Sequence, residues 1–278
     1  ANTYNAIDNV LLELEKELKI LLPTKPYSLY RVQSKWNPIP EEIGPKYPDL
    51  INLPLNKATP SADIISLLER LNEPSGILIV GCPPQQLHNL SVAGKNNERP
   101  KDTIKSWFDL IILDEASQMD IASSTLVFSK ISQTGSCILA GDDLQLPPIQ
   151  QAEPPKDLED LVESTYNYFH RHQGILPNSL DVNYRSNSTL VEFTKLAGYS
   201  ANLESYSKDL KLHFASDLPS HKPTDWPQQL FWTEQWNKFL DPAHPAVCFI
   251  YNDEISSQIN DFEADGTAAL IWLLNKHL

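Results

Sequence analysis

The chain has only three cysteines, Cys82, Cys137 and Cys248, far apart in 278 residues. That spacing supplies neither a zinc site nor a disulfide framework, and a reducing, cytoplasmic location is expected. No apolar run approaches the roughly 20 residues that span a bilayer, and no signal-peptide pattern opens the chain, so no membrane partner is expected. Basic residues are scarce: 22 Lys and Arg stand against 36 Asp and Glu, giving a net charge of −14 and a pI near 4.9. A protein that holds nucleic acid mainly by electrostatics carries a basic footprint, so this balance counts against that class of binder. It leaves open a channel in which backbone amides and aromatic rings hold a single strand. The seven histidines show no ligand spacing, and no Ser/His/Asp set or internal repeat occurs. Nor does the chain contain a Gly-x-x-x-x-Gly-Lys-Ser/Thr, the loop that cradles phosphates.

What is present is a globular composition, 41% hydrophobic and 21% charged, on a chain long enough for two ordinary domains. The most informative stretch is the apolar run Leu110-Ile111-Ile112-Leu113, which leads straight into Asp114-Glu115-Ala116-Ser117-Gln118. A second strand-like run, Cys137-Ile138-Leu139-Ala140, ends in Gly141-Asp142-Asp143-Leu144-Gln145-Leu146-Pro147-Pro148. Two buried strands that deliver acidic and amide side chains at their C-terminal ends describe a phosphate-handling edge of an α/β sheet.

The periodicity predicts a helix over Asp8–Leu22 with Val10, Leu11, Leu14, Leu18 and Leu21 or Leu22 on its apolar face. Asn2, Thr3 and Asn5 are good capping residues, and Pro23 ends it. A short strand over Tyr27–Val32 follows, then an irregular insert at about 33–60, where Trp36–Pro60 carries six prolines. Further elements are a helix over Ser61–Leu71, strands over Gly76–Gly81, Phe108–Leu113 and Cys137–Ala140, and a helix over Ile121–Ser132. Strands alternating with helices imply βαβ units and a parallel sheet. Residues 151–174 read as a linker and a helix beginning near Leu158. Residues 175–278 start a second α/β unit: a strand-to-turn segment over Leu180–Asn187, a helix over Ser188–Gly198, a strand over Val247–Tyr251 and a helix over Asp261–Leu278. Most of the six tryptophans read as core or domain-interface residues rather than base-stacking platforms. The chain opens on Ala1, already inside a helix-start pattern, and so reads as a fragment.

The carboxylate pair suits a nucleotide hydrolase for a definite reason. Asp114 can hold Mg²⁺ through a water, and Glu115 can polarise the water that attacks the γ-phosphate. Gln118, one helical turn past Glu115, can face the same cleft. Gln145 can donate to a γ-phosphate oxygen and sense its loss. The plain alternatives are a strand ending in two solvated acids and a loop glutamine flanked by prolines.

Together, Asp114–Gln118 and Gly141–Pro148 resemble motifs II and III of superfamily 1 helicases. The branch they resemble is SF1B, which contains the nonsense-mediated-decay RNA helicase and the Okazaki-fragment helicase-nuclease. Asn183-Tyr184-Arg185-Ser186-Asn187 resembles that family's motif IV, Ala1–Asn9 its motif Ia, and Asn260–Asp265 its Asn-x-x-Glu-Ala element. The resemblance implies two RecA-like P-loop NTPase domains, ATP and Mg²⁺ as cofactors, and single-stranded DNA or RNA as partner of a monomeric motor with accessory domains outside this chain. It implies Arg185 as the arginine that reaches the γ-phosphate, since a permanently charged fork stabilises a transferring phosphoryl group. It implies Gly141, Asp142 and Glu263 beside the nucleotide. It further implies Thr3 and Asn5 on the nucleic-acid backbone, with the Gly81-Cys82-Pro83-Pro84 turn beside the same track. For these last residues, helix capping and a tight turn are the plain readings. The phosphate loop and motifs V and VI are missing, so the 278 residues alone are expected to be inactive. Rival readings are a non-catalytic interaction module that kept the fold, and a different P-loop ATPase.

Overall fold

The computed structural model describes residues 4–24, 26–34, 49–56, 58–73, 75–93, 106–149, 154, 156–248, 250 and 260–278. The chain divides into two compact units, Ala1–Pro177 and Asn178–Leu278.

In the first unit, β1 (Tyr27–Ser34) lies between β2 (Leu50–Leu55) and β3 (Ile77–Gly81), all parallel, with Leu29 opposite both Leu50 and Ile79. Because side chains alternate across a strand, β1 feeds two cores. Tyr30 and Val32 join Leu53, Leu55 and the apolar stripe Ile64, Leu67 and Leu71 of α2 (Ala62–Asn72). Leu29 joins Ile7 and Leu11 of α1 (Tyr4–Leu21) on the opposite face. α2 begins where expected because the Ser61 hydroxyl accepts the Ile64 N–H at 3.3 Å.

α1 departs from the sequence reading in its buried face. Ile7, Asp8, Leu11 and Glu15 point inward, while Val10 and Leu21 are exposed. Asp8 is drawn in by Arg31 on β1, 1% exposed, whose guanidinium donates to both Asp8 carboxylate oxygens and to Gln33 Oε1, and Glu15 accepts from Lys19 at 2.7 Å. Tyr4 lies against that guanidinium, 4.7 Å from ring centroid to Cζ, and its hydroxyl accepts the Ser34 N–H at 2.8 Å. A pattern search for apolar residues passes over an acid that pairs across elements.

Three further expectations are corrected, and one helix is found where none was expected. The insert contains β2, which tolerates Pro54 because it is an edge strand of its sheet. Pro84–Ser91 forms a helix, α3, with proline in its first turn where no N–H is missed. The helix expected to Ser132 stops at Phe128 (α4, Ile121–Phe128), and β5 runs from Ile131 to Leu139. The helix expected from Leu158 breaks into a 3₁₀ turn (Lys156–Leu158), α5 (Glu159–Val162) and α6 (Thr165–Gln173). Ser164 forces that break: its hydroxyl caps α6 on Asn167, and its backbone bridges to Asp120.

β4 (Phe108–Leu113) pairs in parallel with β5, Leu113 opposite Leu139. Ile111 and Leu113 pack with Leu87, Ala116, Met119 and Val127. Leu110, Ile112 and Ile138 are about half exposed, so these strands are buried on one face rather than two.

In the second unit, β6 (Val182–Asn183) and β7 (Glu204–Ser205) form a short parallel pair, and Asn187 caps α7 (Ser188–Leu196) through Leu190 N–H. Its core is aromatic. Trp226 and Trp236, with Leu240, pack on Ala269 and Leu273 of α9 (Asp261–His277), and α8 (Trp236–Phe239) carries the second of those tryptophans. Both indoles donate to backbone carbonyls, Trp226 to Leu230 and Trp236 to Phe231. No strand occurs at Val247, Cys248 or Ile250, and Phe249 and Tyr251 lie outside the described residues. Both units are mixed α/β, and the parallel sheets of the first are those of a RecA-like fold. No helix among the described residues is long and apolar enough to cross a membrane.

Candidate active site

The ladder between β4 and β5 continues one step past the strands. Ala140 N–H donates to Leu113 O and Ala116 N–H to Ala140 O, each at 2.8 Å. Asp114 and Glu115 are therefore bulged out between two fixed points. Glu115 takes φ = 57°, the sole left-handed non-glycine backbone among the described residues. For a residue with a Cβ this conformation costs on the order of 1–2 kcal/mol. The turn that imposes it brings Gln118 N–H to Glu115 O at 3.0 Å.

That geometry gathers four of the expected residues into one chain of hydrogen bonds. Gln118 Nε2 donates to Glu115 Oε2 at 3.3 Å and to Gln145 Oε1 at 3.2 Å. Gln145 Nε2 donates to Asp142 Oδ2 at 3.0 Å, and Asp142 Oδ1 accepts the Leu144 N–H at 3.1 Å. Asp114 Oδ1 accepts the Glu115 N–H at 3.0 Å. Two segments more than two dozen residues apart in sequence thus share one polar surface.

Three residues that the sequence reading left without a role hold this surface from below. Ser117, 3% exposed, accepts the Asp142 N–H on its hydroxyl at 3.1 Å. Gly141 fits because a Cβ there would lie 2.9 Å from Ser117 N and 3.3 Å from the Tyr166 ring. Tyr166 N–H donates to Ala116 O, and Thr165, fully buried, donates its N–H and hydroxyl to Met119 O. The start of α6, expected as the middle of a longer helix from Leu158, is therefore the clamp on the carboxylate loop. Burial raises the Tyr166 phenol pKa, and the Asp143 and Asp142 carboxylates add to the rise.

Four carboxylates, Asp114, Glu115, Asp142 and Asp143, stand in the two loops. A polyphosphate can approach them only with a cation between, and Mg²⁺ is suited to one or two carboxylates plus phosphate oxygens. The donor set fits such an ion. Among the described residues the one close group of three metal-ligating side chains lies elsewhere, at Asp160, Glu163 and His172. There Arg171 already pairs with Glu163 at 2.9 Å, and the group is a surface ion-pair cluster.

The remaining expected residues fall outside this surface. Gly81 ends β3 beneath α1, where a Cβ would meet Leu11 and Ile7 at 2.7 and 2.8 Å; close packing accounts for the glycine. Pro83 is the N-cap of α3, Asn5 is exposed in the first turn of α1, and Thr3 lies outside the described residues. In the second unit, exposed Arg185 follows β6 in a turn closed by Asn183, whose Oδ1 accepts the N–H groups of Arg185 and Ser186 at 2.8 Å each. Tyr184 and Tyr206 stack beside it, ring centroids 4.7 Å apart and both rings largely exposed. Glu263 is exposed in the first turn of α9, its N–H capped by Asn260.

No protein-family model matches the chain. It is 28% identical over 159 residues to the DNA replication ATP-dependent helicase/nuclease DNA2 of Gallus gallus, covering 57% of this chain and 15% of that protein. It is 27% identical over 256 residues to the protein of the same description from Xenopus laevis, covering 91% of this chain and 21% of that protein. It is 33% identical over 152 residues to the DNA polymerase alpha-associated DNA helicase A of Saccharomyces cerevisiae, covering 50% and 22%. The chain is thus related in sequence to DNA helicases, and it spans only 15–22% of the length of these relatives.

Proposed function

We propose that the chain is a segment of an ATP-dependent SF1B helicase that couples ATP hydrolysis to movement along single-stranded nucleic acid, DNA by likeness to its relatives. The observation that carries this reading is the hydrogen-bonded chain Glu115–Gln118–Gln145–Asp142 at the C-terminal ends of two parallel strands. ATP supplies the phosphoryl group whose transfer to water releases the energy.

In this reading Asp114 holds Mg²⁺ through water. Glu115 orients and deprotonates the attacking water with the carboxylate oxygen that Gln118 does not engage. Gln145 keeps one amide hydrogen on Asp142 and offers the other to a phosphate oxygen. Gly141 and Asp142 border the phosphates through the same loop. Arg185 offsets the charge that builds on the transferring group, and Glu263 stands near the nucleotide. Thr3, Asn5, Gly81 and Pro83 lie along the nucleic-acid track. The motor is monomeric, with a phosphate loop and accessory domains outside these residues. The 278 residues alone, lacking that loop, turn over no ATP.

The second reading is a helicase-derived module that binds nucleic acid or protein without hydrolysis; the net charge of −14, unlike that of an electrostatic nucleic-acid motor, keeps it open. Phosphate release by the full-length protein, with and without single-stranded DNA, separates the two. Stimulated turnover supports the motor; strand binding with no turnover supports the module.

A further inference from the structure

Gln118 has a peculiarity that its place in the sequence does not reveal. Its single amide nitrogen carries two hydrogens, and both are engaged: one on Glu115 Oε2 at 3.3 Å, the other on Gln145 Oε1 at 3.2 Å. A carboxamide has no other donor, and its oxygen repels a phosphate. Gln118 in this arrangement therefore has nothing to offer a nucleotide. It does have the means to fix two other side chains at once. Glu115 is engaged through one of its two carboxylate oxygens, and Gln145 is held from both ends, its oxygen on Gln118 and its nitrogen on Asp142 at 3.0 Å.

Resting on the hydrolase reading above, we infer that Gln118 is a positioning residue that joins the water-activating carboxylate Glu115 to the phosphate-sensing amide Gln145. A nitrogen shared between two acceptors makes their orientations interdependent. When Gln145 swings toward or away from a phosphate, it pulls on or releases the amide that aims Glu115. Hydrolysis is thereby gated by phosphate contact: Glu115 is aimed when Gln145 is in register and is loosened when it is not. The backbone supports such a link. Glu115 sits in its left-handed turn, and the Ser117–Asp142 hydrogen bond fixes the two loops so that only side chains need move. Gln118 is exposed, so truncating it leaves the core untouched.

Two measurements test the inference. In the 278-residue chain, the side-chain NH₂ resonances of Gln118 are assigned by their loss in Gln118→Ala and followed by ¹⁵N–¹H correlation. Glu115→Ala and Gln145→Ala are each expected to shift that pair; an unmoved pair in either variant overturns the link. In the full-length protein, Gln118→Ala should lower kcat by about 100-fold, the loss typical of a displaced reacting group, with the nucleotide KM within about twofold. The double variant Gln118→Ala/Gln145→Ala should fall little below the worse single variant, because both act on one unit. Multiplicative losses, or a change confined to KM, overturn the inference. The amide readout does not need turnover. Coupled resonances in a protein whose turnover survives Glu115→Gln would leave the link standing and sink the hydrolase reading instead.

Discussion

The Ser117 hydroxyl accepts the Asp142 N–H at 3.1 Å, and this one bond ties the carboxylate loop to the amide loop from beneath. Ser117 is 3% exposed, so water cannot readily replace it. Ser117→Ala should therefore cost about 0.5–1.5 kcal/mol, the net contribution of one intramolecular hydrogen bond. It should appear as a lower urea midpoint at unchanged slope. An unchanged midpoint would show that the loops are held by the ladder bonds at Ala116 and Ala140 alone.

Arg31 and Asp8 form a nearly dry ion pair between β1 and α1. Such pairs add little net stability against apolar residues of similar volume, yet losing one partner strands a charge. Asp8→Ala is expected to destabilise the first unit by about 3–5 kcal/mol. Asp8→Leu combined with Arg31→Met should recover most of it. A double variant no more stable than the single one would assign the loss to helix packing rather than to the charge.

Burial pushes the Cys82 thiol from 9.0 up to about 12. Cys82 packs against the Tyr30/Val32 core and the Ile111/Leu113 core of the first unit. In the unfolded chain it releases its proton near its ordinary pKa, so above about pH 9 the unfolded state holds fewer protons than the folded one. Stability should fall with rising pH through that window, by up to about 1.4 kcal/mol per pH unit from this group. Cys82→Ala should lose less stability than the parent chain as the pH rises above 9. Parallel pH–stability curves for the two would contradict this.

Much of the chemistry was legible in the chain because it is local. Asp114, Glu115, Gln118, Asp142 and Gln145 sit within one turn of strand ends that hydrophobicity marks, and the structure brings four of them into one network. What escaped was set by contacts across the sequence. α1 buries Asp8 where an apolar stripe was expected, because Arg31 answers from β1, and buries Glu15, which pairs with Lys19 on the same helix. β2 was hidden by Pro54, which only its edge position permits. The boundary between α4 and β5 fell inside the run Ile121–Ser132, whose apolar residues suit either element. The helix expected from Leu158 covered α6, but the task of its start, holding Ala116 and Met119, is done largely by backbone groups that carry no sequence signature.

The central claim is that Glu115 activates the hydrolytic water. Its most direct test is single-strand-stimulated phosphate release by the full-length protein carrying Glu115→Gln, an isosteric change that keeps the hydrogen-bonding shape and removes the base. The account predicts that kcat falls by about 100- to 10,000-fold, the range for loss of a general base, while ATP and single-strand binding persist. Turnover at the parental rate in that variant would contradict it.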